Sequence, residues 1–266
     1  MRRKVRAMII VLGAAAYLLL AILYLRHTES VTNGQWWSAS RESAGIAPDP
    51  RITPEPVVQV YAARTVGWRG YIGVHTWIAV KRSGAKRFTR YEVIGWGVNE
   101  HTNAVRRDRT GPDNYWFGNR PDVLLDRRGG AEVDALIDRI EAAVAAYPYP
   151  YFYRIWPGPN SNSFTAHVAR AVPGLGLALP ANALGKDYLP NGALVAAAPS
   201  GSGFPLSLFG ALGLLVAAEE GVEINLLGFT VGLDPKDLAL KLPGIGRLGW
   251  PSAAAVEPAP RPGDAG

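Results

Sequence analysis

Gly73-Val74-His75-Thr76-Trp77-Ile78-Ala79-Val80-Lys81 is the stretch on which the fold turns. Side chains of an extended chain alternate between two faces. Val74, Thr76, Ile78 and Val80 therefore share one side, and His75, Trp77, Ala79 and Lys81 the other. Ser83-Gly84 follows, and Phe88–Gly97 is again β-type, which makes a hairpin. Val57–Val66 supplies a third strand upstream. Residues 99–130, dense in Asn, Asp, Arg and Gly, read as loop. Beyond them Val133, Leu136, Ile137, Ile140 and Val144 recur three and four apart, so Ala131–Tyr147 reads as a helix stopped by Pro148. Tyr151–Trp156 reads as a short aromatic strand. A second helix opens at Asn160 or Ser161, with Phe164, Val168 and Val172 on its buried side. The pattern predicts an α+β domain in which an antiparallel sheet packs on one or two helices.

The chain has 266 residues, of which 48% are hydrophobic and 19% charged, so it is too apolar for a disordered protein. Ala7 to Leu25 contains no charged residue, a length that matches a hydrocarbon core of ~30 Å. Arg2, Arg3, Lys4 and Arg6 precede this run and Arg26 closes it. The bias predicts a cytoplasmic N-terminus, with everything after Arg26 on the far side of the membrane. A cleaved signal peptide is the competing reading. The run is longer than a signal core and lacks a small-x-small end, which favours a retained anchor. Those five residues account for most of the net charge of +6, and the near-neutral remainder argues against a nucleic-acid partner. With no cysteine, thiol catalysis, disulfides and Cys-ligated metals are excluded.

The expected organisation is a membrane anchor at 1–26, a juxtamembrane linker at 27–56, one soluble domain at 57–250 and a disordered tail at 251–266. Phe204–Ala218 is uncharged but short for a membrane span and interrupted by Pro205, Gly210 and Gly213. A buried strand pair or a core helix is expected there, with a re-entrant segment, or a surface of a structural envelope protein that docks on the membrane or on a partner, as the alternatives.

Two features could carry chemistry. A helix start at Asn160-Ser161 presents unpaired backbone N–H groups and a partial positive charge, suited to an oxyanion or to a nucleophile losing its proton. His75 on a strand could supply the base. Equally, Ser and Asn are the preferred helix caps, and His75 could be a half-buried strand residue bonded to a carbonyl. Four scattered histidines predict no metal site, and no phosphate-cradling loop is present, so no cofactor is expected.

Several separated segments, GVHTWIAVK (73–81), YEVIGWG (91–97), PGPNSNSFTAHV (157–168), EGVEINLLGFTVGLDP (220–235) and LKLPGIGRLG (240–249), resemble the uncharacterised bacterial family called domain of unknown function 3750. More distantly, a strand histidine followed by an Asn-x-x-x-Phe helix start resembles the circularly permuted papain-like superfamily, which includes the lecithin retinol acyltransferase, NlpC-like and PPPDE groups. That likeness implies a half-barrel fold with His75 as base, Ser161 where the nucleophilic cysteine stands, and Asn160 and Phe164 flanking it. Serine lacks an accessible anion near neutrality, so its base must lie within roughly 2.6–3.2 Å. A third polar group must then orient the base, and Glu92, Asn99 and Asp108 are the candidates. The likeness implies a hydrolase or acyltransferase acting on an amide or ester of the envelope (peptidoglycan, lipid or peptide). In a Gram-negative host it would sit at the inner membrane with its domain in the periplasm. The alternative is a catalytically inactive binding or scaffolding module.

Overall fold

The computed structural model describes residues 2–27, 37–108 and 110–249. The expected tail at 251–266 and residues 28–36 of the expected linker lie outside the described residues. The framework around residues 73–81 forms as a five-stranded antiparallel sheet. Its strands are β1 (Val57–Arg64), β2 (Val74–Lys81), β3 (Thr89–Val93), β4 (Val105–Asp108) and β5 (Asp122–Arg128), in the order β4-β3-β2-β1-β5. The mixed α+β class holds. Both edge strands come from the stretch that reads as loop, because VRRD and DVLLDRR carry the charges that edge strands tolerate.

Two helices, α2 (Gly130–Ala145) and α3 (Ser161–Ala171), cover one face of this first sheet. Val58, Val60, Ile78, Tyr91 and Val93 from the strands meet Ile137, Ile140, Phe164 and Val168 from the helices in one apolar cluster. Each such fully buried side chain contributes roughly 1.5–3 kcal/mol. The opposite face holds Tyr61, Trp77, Ala79 and Phe88, against which Ile46, Ala47 and Trp116 pack. The Asp113 carboxylate fixes that cover by accepting the Ile46 and Ala47 amides at 2.6 and 3.0 Å. The last part of the expected linker is thus a lid on the domain and not a free tether. Tyr151–Trp156 forms no strand. Prolines 148, 150, 157 and 159 remove donors on both sides of it, which a ladder cannot absorb.

The remainder of the chain folds as a six-stranded antiparallel meander. Its strands are β6 (Gly203–Leu208), β7 (Leu212–Ala217), β8 (Gly221–Leu226), β9 (Phe229–Asp234), β10 (Ala239–Leu242) and β11 (Gly246–Leu248). Phe204–Ala218 is a strand pair, as one of the readings has it, but its apolar side chains are not buried. Phe204, Leu206, Leu208, Leu212, Leu214 and Val216 face outward, while Ser207, Leu215 and Ala217 face in. The inward face of this second sheet carries charge. Glu223 takes Lys186 at 2.5 Å on one oxygen and Lys241 at 2.6 Å on the other, and Asn225 donates to Asp187 at 2.8 Å. Such charges are tolerated in an interior only when paired and hydrogen-bonded.

The N-terminal run is helical as α1 (Arg2–His27). Among the described residues no helix is long and apolar enough to cross a membrane. The side chains at positions 7, 10, 11, 14 and 25 of the expected Ala7–Leu25 span lie outside the described residues. Ala21 is buried against the domain, and the Tyr17 hydroxyl donates to the Pro243 carbonyl at 2.6 Å.

Candidate functional site

Asn160 begins α3 as its cap. Its side-chain oxygen accepts the Asn162 and Ser163 amides, both at 3.0 Å, while its side-chain nitrogen donates to the Ile155 and Leu184 carbonyls. Ser163 returns the favour by accepting the Asn160 amide at 2.7 Å, which completes a capping box. Asn162 donates to the Val74 and Leu184 carbonyls, tying the helix start to β2 and to the segment beyond α3. Gly185 makes this approach possible, since a Cβ there would stand 2.3 Å from the Asn160 side-chain nitrogen. Ser161 sits inside this latch and is 5% exposed.

The residue of β2 that faces the helix start is Thr76. Its hydroxyl lies 2.9 Å from Thr165 Oγ1, 3.1 Å from Asn162 Oδ1 and 3.3 Å from the Ser161 carbonyl. His75 is its neighbour along the strand and therefore projects from the other face. There its ring stacks on Trp116 at 3.8 Å between centroids, and Nε2 lies 2.6 Å from Glu92 Oε2. The structure does not bring His75 to Ser161: the sheet lies between them, and the base–nucleophile pairing is corrected accordingly. The alternation of GVHTWIAVK was legible, but which face would receive α3 was not.

Of the three candidates for an orienting group, Glu92 does meet His75. Asn99 and Asp108 serve local turns instead, accepting the His101 and Thr110 amides. Glu92 also accepts from Arg90 at 2.8 Å, and Arg90 in turn lies over the Trp77 ring at 4.0 Å. Burial alone would raise the Glu92 carboxyl, but hydrogen bonds and charge from His75 and Arg90 outweigh it and hold the group down at about 2. His75 is pushed the opposite way: burial disfavours its charged form and lowers its pKa, an effect that Glu92 opposes and Arg90 reinforces. Burial thus disfavours the imidazolium, and Arg90 is the resident positive charge beside Glu92. Sequence reasoning missed Arg90, Trp116 and the exposed Trp96 stacked on it at 5.9 Å. The mixed-sign TRYEV strand was the one available signal.

The matched region now has a geometry. A family model described as "Protein of unknown function (DUF3750)" matches residues 55–188. The chain belongs to this family. The DUF3750 match takes in the first sheet, α2, α3 and the Asn160 latch, and ends before β6, so the segments 220–235 and 240–249 that also carried the resemblance lie outside it. No curated protein and no solved structure matches the chain. Among the described residues no group of three or more His, Asp or Glu side chains is arranged to hold a metal ion. A hollow of about 380 Å³ lined by Arg82, Lys86, Arg87, Arg107 and Glu141 among others touches neither His75 nor Ser161.

Proposed function

We propose that this DUF3750 protein is a single-pass, membrane-anchored envelope protein whose α+β domain binds or scaffolds instead of hydrolysing an amide or ester. The observation that carries the reading is the division across the first sheet. Asn160, Asn162 and Ser163 hold the helix start together, and the only imidazole on β2 is locked to Glu92 on the far face. That bond takes up the strand imidazole away from Ser161, which speaks against the nucleophile–base pair that a serine enzyme requires. The permuted papain-like likeness enters as ancestry: a five-stranded antiparallel sheet with two helices on one face, and a helix opening Asn160-Ser161, support it.

The anchor rests on the full sequence of α1. Nineteen uncharged residues at about 1.5 Å each span roughly 29 Å, close to the thickness of a hydrocarbon core. The basic cluster before them retains the N-terminus in the cytoplasm, which puts the domain in the periplasm of a Gram-negative cell. The test has two arms. The chain is expected to resist alkaline extraction from membranes, and a domain-terminal reporter active only outside the cytoplasm is expected to give signal. A fluorophosphonate probe is expected to leave the chain unlabelled. Labelling that disappears in both Ser161→Ala and His75→Ala would restore the hydrolase and end the binding reading.

A further inference from the structure

In the second sheet every exposed position of β6 to β11 is Phe, Leu, Val or Ile. The registers align these residues into rows, one of which runs Phe204, Val216, Val222, Leu233, Leu240 and Leu248 across all six strands. Ile224 and Leu226 in β8 carry two more rows of the same kind. A face of this extent without a single polar group exceeds the patches that soluble monomers expose.

The two ends of the sheet differ. At one end, the Ala218–Glu220 and Pro235–Leu238 turns carry an ion pair between Lys236 and Glu219. At the other, the hairpin turns hold exposed Phe209 and Leu227 and, among the described residues, no ion pair. The positive φ of these two is shared by the exposed Leu238 of the first end, so the ends differ in charge and not in turn conformation. Trp156 packs on that same end, close enough that a Cβ at Gly228 would lie 2.7 Å from its Nε1. The third turn of this end, Pro243–Ile245, receives Tyr17 of α1. Tyr17 lies eight residues inside the end of the uncharged run, roughly 12 Å along the helix axis. A bilayer that surrounds α1 down to Tyr17 therefore reaches the apolar end of the sheet as well.

We infer that the outward face of β6–β11 is seated in lipid, embedded in the leaflet on the domain's side of the membrane and set there by α1. This deepens the membrane-anchored reading and depends on it. The depth of the Tyr17 contact is what favours lipid over a second copy of the chain as the occupant.

The chain has no cysteine, so single cysteines can be labelled cleanly. Full-length Ile224→Cys, Val231→Cys and, on the exposed side of α2, Asp138→Cys are labelled with an NBD fluorophore. They are then reconstituted in phosphatidylethanolamine–phosphatidylglycerol vesicles. Positions 224 and 231 are expected to lose most of their emission to brominated acyl chains and none to aqueous iodide, with position 138 showing the reverse. A chain that floats with the vesicles while positions 224 and 231 are quenched by iodide overturns the seating and leaves the anchor standing. Shielding from both quenchers, with energy transfer between differently labelled copies, overturns it in favour of a second copy. A chain that does not float at all overturns the anchor and the seating together.

Discussion

In the first sheet Ile78 faces Tyr91 across an antiparallel pair beneath α3, and both are closed off from solvent. In the second, Ile224 faces Val231 across the same kind of pair, and they are 61% and 52% exposed. Behind Ile78 lies hydrocarbon from two helices; behind Ile224, one residue along on either side, lie Glu223 and Asn225 in a charged network. One chain thus uses period-two alternation with opposite senses. Alternation says that a sheet has two different sides, while only the neighbours say which side is inside. Where the neighbours are charged and the free side apolar, the medium on the free side is not water. Covering one exposed Leu, Ile or Phe is worth roughly 1.5–3 kcal/mol, so rows of them represent a large drive toward an apolar partner.

The contrast is broken most directly by truncation. Phe164→Ala opens a cavity under the first sheet and is expected to lower stability by about 3–5 kcal/mol in urea titration of the detergent-solubilised chain. Ile224→Ala removes no packed neighbour of the domain and is expected to change it by less than about 0.5 kcal/mol. Comparable losses at the two positions would mean that the outer face is packed by protein. Next in size is Glu223→Gln, which leaves Lys186 and Lys241 facing each other without their shared carboxylate. Burial would lower Lys186, but Asp187 and Glu223 more than reverse this and hold its pKa above the ordinary lysine range, so the ammonium remains charged. A loss of about 3 kcal/mol is expected by the same measurement, because a buried cation is then short of a partner. An unchanged midpoint would show that water reaches the inner face, and the inverted pattern would lose its meaning.

How much of this was legible differs between the two sheets. Val74 to Val80 and Val133 to Val144 announced a strand and a helix because their periods are intrinsic to backbone geometry, and the capping residues at 160–163 marked a helix start for the same reason. What sequence could not supply was the side of β2 that α3 would choose, since Thr76 and His75 suit either an interior network or a surface equally well. β4 and β5 were hidden by their charges. The VEINL alternation was visible, yet Glu223 in place of Ile224 as the buried member runs against the ordinary rule that apolar residues go inside. The reversal exists only because Lys186, far away in sequence, comes to meet it.

At the helix start a smaller difference is expected. Asn160→Ala removes a cap accepting two amides and strips donors from the Ile155 and Leu184 carbonyls, for a loss of about 1–2 kcal/mol. Ser161→Ala, one position on, is expected to cost less than about 0.5 kcal/mol and to leave cellular function intact. Thermal melts of the two variants side by side distinguish a structural latch from a nucleophile. Loss of function in Ser161→Ala at unchanged melting temperature would make the helix start a site after all.

The smallest effect concerns acid, to which the buried charges of the two sheets respond differently. His75 has a folded pKa below its unfolded value near 6.5, because burial disfavours the imidazolium. As pH falls through 6.5 the unfolded chain takes up a proton that the folded chain refuses, so stability drops until the folded pKa is reached. Glu92, held at about 2, adds a second and lower window: its contribution is complete above the usual carboxylate pKa near 4.3 and is lost as pH falls toward 2. Between pH 7 and 5.5 His75 and His167, whose pKa burial also lowers, both act in this sense, so stability falls with pH. His75→Gln should reduce that slope in urea titrations, leaving the share of His167, and should narrow the lower window because Glu92 loses its hydrogen bond from His75. Glu223→Gln, on the second sheet, should shift the whole curve and keep the slope above pH 5.5. If His75→Gln leaves the slope unchanged, the imidazole is already charged in the fold, and the stack on Trp116 is a cation resting on an indole.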